Sequence, residues 1–202
     1  MKHLPSDWPF EPPLRFPAID GTEIDVPDWW REGAGAWGCY QSHMNVIRDA
    51  IESRAESLLV FEDDAVFTES FAMDVRFFLS ELPSDWMMLF LGGQLLETDK
   101  VRPAKLSTWV YRAYNVNRMH AYAIRSLKSL RSIYDYLLKP ETWKKGQHID
   151  HKLGEYQKEN EGIYVPRRWI VGQRDGESDI CGAKLGFRLF RNAEELSATE
   201  GR

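Results

Sequence analysis

Cysteine is scarce: Cys39 and Cys181 are the only two in the chain. Neither stands in a metal-ligand spacing, and nothing in the sequence indicates a disulfide framework. Two reduced thiols in a cytoplasmic protein are the expectation. No N-terminal segment has the apolar core of a signal peptide, and no apolar run is long enough to cross a bilayer. Runs of Lys or Arg are absent too. With a formal charge of −5 and a pI near 5.6, nothing here suggests a nucleic-acid surface, and a basic protein partner stays open. There is no internal repeat or low-complexity tract.

What is present describes one ordinary globular domain. The 202 residues suffice for a sizeable core, and 43% are hydrophobic against 28% charged. Eight tryptophans suit a core plus a cleft for flat or amphipathic ligands, although large aromatics are more often simple core. Residues 1–34 carry Pro5, Pro9, Pro12, Pro13, Pro17 and Pro27, which resist helix and central strand, so this stretch reads as an extended arm over the domain. Phe16 to Gly21 reads as a short strand entering an Asp-Gly turn, and Trp29 and Trp30 as pins to the core. The domain proper is expected over 35–191, with a charged, frayed tail over 192–202.

The most informative stretch is Ser57 to Phe67. Leu58 to Phe61 has the length and branching of a buried strand, and it ends in Glu62, Asp63 and Asp64. Unpaired charges are too costly in a strand's dry interior, so the acids belong where the strand surfaces. Open α/β sheets bind ligands at such strand ends, and adjacent carboxylates there suit a hard divalent cation. The plainer alternative is a solvated turn of acids capping the next helix.

Around it, Tyr40 to Arg54 has a helical period, which puts Ser42 and His43 in a first turn whose free N–H groups favour anions. A packed, hydrogen-bonded His43 is the bland reading. Phe71, Val75, Phe78 and Leu82 mark a second helix ended by Pro83. Trp86 to Leu91 is apolar enough for a strand covered on both faces, and it is expected to be a central neighbour of Leu58–Phe61. Gly92-Gly93 then offers either a close approach for substrate or a turn. A short strand spans Ala121 to Ile124, preceded by His120, and Ser126 caps a helix through Leu137. Gln147 to Leu153 concentrates His148, Asp150 and His151 at a helix start, either as part of a site or as an ordinary exposed N-terminus. Ile163–Pro166 and Trp169–Val171 are strand candidates, and Gln173 to Ile180 is a polar loop.

These separated signals together resemble glycosyltransferase family 25, the lipooligosaccharide and collagen galactosyltransferases. The resemblance rests on Phe16 to Gly21; Gly35, Gly38, Cys39, Ser42 and His43; Leu58 to Asp64; Pro83 to Gly92; His120-Ala121-Tyr122; Asp150 with Leu153; and Gln173 followed by Ser178-Asp179-Ile180. It implies a single GT-A, Rossmann-like α/β domain with a mixed, mostly parallel sheet. It also implies a metal-dependent inverting transfer of a sugar, galactose by preference, from a nucleotide-sugar such as a UDP-sugar to a glycan or glycolipid acceptor. In that frame Glu62, Asp64 and His120 hold Mn²⁺ or Mg²⁺, and Ser42, His43, Asp63, Gln173, Ser178 and Asp179 bind the donor. Asp150 is the base. A homo-oligomer is compatible with the reading. Three departures stand out: the chain is expected to lack the family's usual first strand, Ala36 occupies a position usually held by Glu, and Arg118 one often held by Gly. They keep two alternatives in view: a non-catalytic relative that binds nucleotide-sugars or glycans, and a phosphohydrolase using the same carboxylates.

Overall fold

The computed structural model describes residues 4–174, 176–177, 184–185 and 190–197. Residues 4–33 contain no regular element, in keeping with their prolines, and Phe16 to Gly21 runs extended without strand pairing. Helix α1 (Ala34–Glu52) follows, then β1 (Ser57–Phe61), β2 (Ala65–Phe67) and α2 (Phe71–Ser80). After them come β3 (Met88–Leu95), β4 (Ala104–Lys105), β5 (Val110–Arg112) and β6 (Val116–Arg125). Helices α3 (Ser126–Leu137) and α4 (Ile149–Lys158), strands β7 (Ile163–Pro166) and β8 (Val171–Gln173), and α5 (Ala193–Ser197) complete the parts used below.

Six strands form one sheet in the order β1-β6-β3-β7-β5-β4, and β2 pairs separately with β8. The mixed α/β domain is as expected, but the prevalence of parallel pairs is not. Within that sheet only β3–β7 is parallel; β1–β6, β3–β6, β5–β7 and β4–β5 are antiparallel. Nor are β1 and β3 neighbours: β6 lies between them and β1 is an edge strand, half-buried along its length. The misreading has a physical source. An all-apolar strand signals cover on both faces, and β3 receives that cover inside a largely antiparallel sheet. Met88 and Phe90 pack with α1, α3 and α4, while Leu89 and Leu91 pack with α2.

Two glycine pairs also depart from the sequence reading. Gly35 and Gly38 lie inside α1, so Ser42 and His43 sit mid-helix and not in its first turn. Gly38 is used for contact with the arm: a Cβ there would stand 2.5 Å from the Gly21 nitrogen and the Ile19 carbonyl oxygen. Gly92 and Gly93 are not a turn, because β3 continues through both. At the other end of the chain, the described part of the expected frayed tail is helical, with Ala193 and Leu196 buried. Ser126 is the first residue of α3 and Arg125 its N-cap, although the Ser126 hydroxyl does accept from the Ser129 N–H at 3.3 Å. Trp30 is buried in an aromatic knot with Trp37, Tyr40 and Trp143, which pins the arm to α1.

Candidate active site

The acid run emerges from β1 as the sequence suggests. The Glu62 N–H still bonds the His120 carbonyl at 3.0 Å, the last rung between β1 and β6. The chain then turns through Asp63 and Asp64 into β2, whose antiparallel partner β8 brings Gln173 opposite Ala65. Three consecutive acids, two elements and a turn thus place three carboxylates in three environments.

Asp63 is exposed, at the mouth of a cleft of ≈ 510 Å³ that Arg174 and arm residues Leu4 to Asp7 also line. Asp64 is half-buried. Its Oδ2 accepts from Gln173 Nε2 at 2.9 Å, and its Oδ1 is buried with no hydrogen-bond partner. Burial, reinforced by Glu62 and only partly opposed by Gln173, pushes the Asp64 carboxyl up to about 6. Glu62 faces α1 instead. Its Oε1 lies 3.1 Å from His43 Nε2, and His43 Nδ1 lies 3.1 Å from the Tyr122 hydroxyl. Burial raises Glu62, but His43 first, then His120 and Arg118, hold it below the ordinary carboxylate range. Burial likewise opposes charge on His43, yet Tyr122, Cys39 and Glu62 keep it well above the ordinary histidine range.

His120 arrives through a bulge. Between the pairs Gly92–Ala121 and Gln94–Asn117, β3 advances two residues while β6 advances four. Arg118 absorbs the distortion with a φ of 75°, a left-handed conformation that glycine adopts most readily. The position that departs from the family's glycine is thus one where the backbone favours glycine. The bulge turns the buried His120 ring toward β8: Nε2 meets the Val171 carbonyl at 3.4 Å, while Nδ1 is buried and unpartnered. Burial lowers its pKa, so the ring is neutral near pH 7. Gly92 makes room for it, since a Cβ there would lie 2.4 Å from His120 Nε2 and 2.2 Å from the Val171 carbonyl oxygen.

Asp150 begins α4, and its Oδ2 accepts from the Arg118 N–H at 3.3 Å. It therefore adjoins the bulge that carries His120. Its Oδ1 accepts from the His151 N–H at 2.9 Å. Gln173 and Asp64 meet, as do His43 and Glu62. Ser42 does not join them: its hydroxyl donates to the Gly38 carbonyl at 2.7 Å and accepts from the Ile19 N–H at 2.8 Å, clasping the arm. Ser178 and Asp179 lie outside the described residues. Glu62, Asp64 and His120 do not gather tightly. Among the described residues, the set of three potential ligands within 4.8 Å of one another is Cys39, His43 and Glu62. Sequence reasoning gave no role to Tyr122 or Arg118, although the first belongs to the His120-Ala121-Tyr122 piece of the resemblance and the second is one of its departures.

The chain belongs to glycosyltransferase family 25 (LPS biosynthesis protein), whose model matches residues 26–156. No curated protein matches it. Among solved structures it is similar to a mannose-1-phosphate geranyltransferase from Thermus thermophilus, at 14% identity and a TM-score of 0.39. That alignment covers 67% of this chain and spans half the length of the other. A likeness this weak carries no argument about the site. No helix among the described residues is long and apolar enough to cross a membrane.

Proposed function

We propose that this domain is a metal-dependent inverting glycosyltransferase that moves a sugar, galactose in the first instance, from a UDP-sugar to a glycan or lipooligosaccharide acceptor. Beside family membership, one observation carries the reading: Asp64 keeps a buried, unpartnered Oδ1 at a strand end, with its carboxyl pushed up to about 6. Such an atom costs free energy unless something positive meets it. The neighbouring orphan, Nδ1 of the neutral His120, is a lone pair without a donor. By donor chemistry two carboxylates and an imidazole match Mn²⁺ better than Mg²⁺, although the three do not stand as one tight set and an ion would have to draw them together. Glu62, Asp64 and His120 would hold the ion, which when bound supplies Lewis-acid stabilisation of negative charge on the departing diphosphate.

The remaining roles belong to the chain's own side chains. Gln173 orients Asp64 through Oδ2, leaving Oδ1 free. His43, fixed by Tyr122, orients Glu62. Asp63, which lines the cleft, borders the donor; Ser178 and Asp179 are assigned to it by the family resemblance and lie outside the described residues. Asp150 takes the proton of the acceptor hydroxyl as that oxygen attacks the anomeric carbon in line and the bond to the diphosphate breaks. Two backbone N–H donors hold this carboxylate in one orientation. The test is donor turnover with purified protein, Mn²⁺ and a panel of UDP-sugars, with and without glycan acceptor. Acceptor-dependent release of UDP supports transfer. Equal release without acceptor would indicate a phosphohydrolase, and binding without release a non-catalytic relative.

A further inference from the structure

We propose that Arg118 is a second cation of the donor site, one that grips the phosphate bearing the sugar; this rests on the glycosyltransferase reading above. The backbone is the first observation. A non-glycine residue at a φ of 75° is costly by about 1 kcal/mol or more, and such strain persists where the surroundings enforce it. Here the bulge enforces it, and the same backbone N–H bonds Asp150, the proposed base.

The side chain is the second observation. Arg118 is half-buried, and its Nε is buried without a hydrogen-bond partner. Its guanidinium carbon lies 5.6 Å over the Phe190 ring. Among the described residues it forms no ion pair, and it stands in β6 two residues before His120. A cation that only balanced Glu62 would close to ion-pair distance. This one makes no such pair and leaves a desolvated N–H two residues before His120. A phosphate reaching that N–H would satisfy the guanidinium on one side and a carboxylate-held metal on the other. The planar fork of arginine matches phosphate oxygens, and a charge-assisted bond to them strengthens as the leaving group gains charge. With its backbone N–H on Asp150 and its place two residues before His120, Arg118 adjoins both the proposed base and a proposed metal ligand.

Calorimetric titration tests this with UDP and UMP in Mn²⁺, on the parent, Arg118→Gly, Arg118→Gln and Arg118→Lys. Arg118→Gly relieves the backbone, so its thermal midpoint should equal or exceed that of the parent. Arg118→Gln keeps the strained backbone and removes the charge. We expect both to lose tenfold or more in UDP affinity, about 1.4 kcal/mol, with less than a threefold loss for UMP. Arg118→Lys should recover part of the UDP loss. Unchanged UDP affinity in Arg118→Gln and Arg118→Gly would overturn the proposal and leave the glycosyltransferase reading standing. So would equal losses for UDP and UMP with a lowered midpoint, the mark of a structural residue. A parent that binds none of uridine, guanosine or cytidine diphosphate would overturn both.

Discussion

Glu62 stands between two neighbourhoods of opposite character. Toward α1, the polar groups are partnered: His43 engages Glu62 and Tyr122 through its two nitrogens, and the Ser42 hydroxyl both donates and accepts. Toward β2, β8 and the bulge of β6, Asp64 Oδ1, Thr68 Oγ1, Arg118 Nε and His120 Nδ1 are all buried without partners. Folded proteins leave few such atoms, and each calls for a partner from outside the chain, a water or a ligand. The comparison separates two jobs that the sequence runs together. The α1 side fixes Glu62; in the proposed reading the β8 side is the one that takes the ligand.

Breaking the satisfied side should cost the most. His43→Ala strands Glu62 and the Tyr122 hydroxyl together, and losing one partner of a buried pair costs about 3 kcal/mol. The His43 pKa is raised on folding, so this contribution is fully present below the unfolded value near 6.5 and is lost as pH rises through the higher folded value. Denaturant unfolding at pH 6 and pH 9 should therefore show a smaller deficit at pH 9.

Gly92→Ala comes next. A methyl that close to the Val171 carbonyl and the His120 ring must displace one of them, at a cost of about 2 kcal/mol. The readouts are a lower thermal midpoint and weaker Mn²⁺-dependent nucleotide binding.

The unsatisfied side should respond with the opposite sign. Metal-free Asp64→Asn removes a carboxylate that is poorly solvated and repelled by Glu62, so it should be more stable than the parent above pH 6. A rise from 3.8 to about 6, discounted for partial exposure, gives a gain of about 1 kcal/mol. Because the folded pKa is raised, the gain should shrink as pH falls through about 6 and vanish below the unfolded value. Ser42→Ala is the smallest change, loosening the arm by about 1 kcal/mol through the lost Ile19 bond while leaving nucleotide affinity as it was.

The acid run, the strand that leads into it and the aromatic pins were legible because each is local: an apolar run, a charge that cannot be buried, a proline-rich arm. Asp64 with Gln173 and His43 with Glu62 were legible only as members of one resemblance, since nothing local links residues 109 apart. The bulge was not legible at all. An arginine at positive φ runs against local preference, so nothing local marks the residue that most distorts β6, and the strand was expected to start only at Ala121. The start of α1 failed for a related reason. Gly35 and Gly38 look like a loop, yet at Gly38 the missing side chain is what lets the arm's backbone lie against the helix. Strand order failed because apolar runs report cover on two faces, not the direction of the neighbours.

The most direct test of the ligand-awaiting side is calorimetric titration of UDP into the parent and into Asp64→Asn, each with Mn²⁺ and with chelator. The account predicts Mn²⁺-dependent binding in the parent, its loss in Asp64→Asn, and an unfolding midpoint for that variant at least as high as the parent's. Undiminished Mn²⁺-dependent affinity in the folded variant would contradict it.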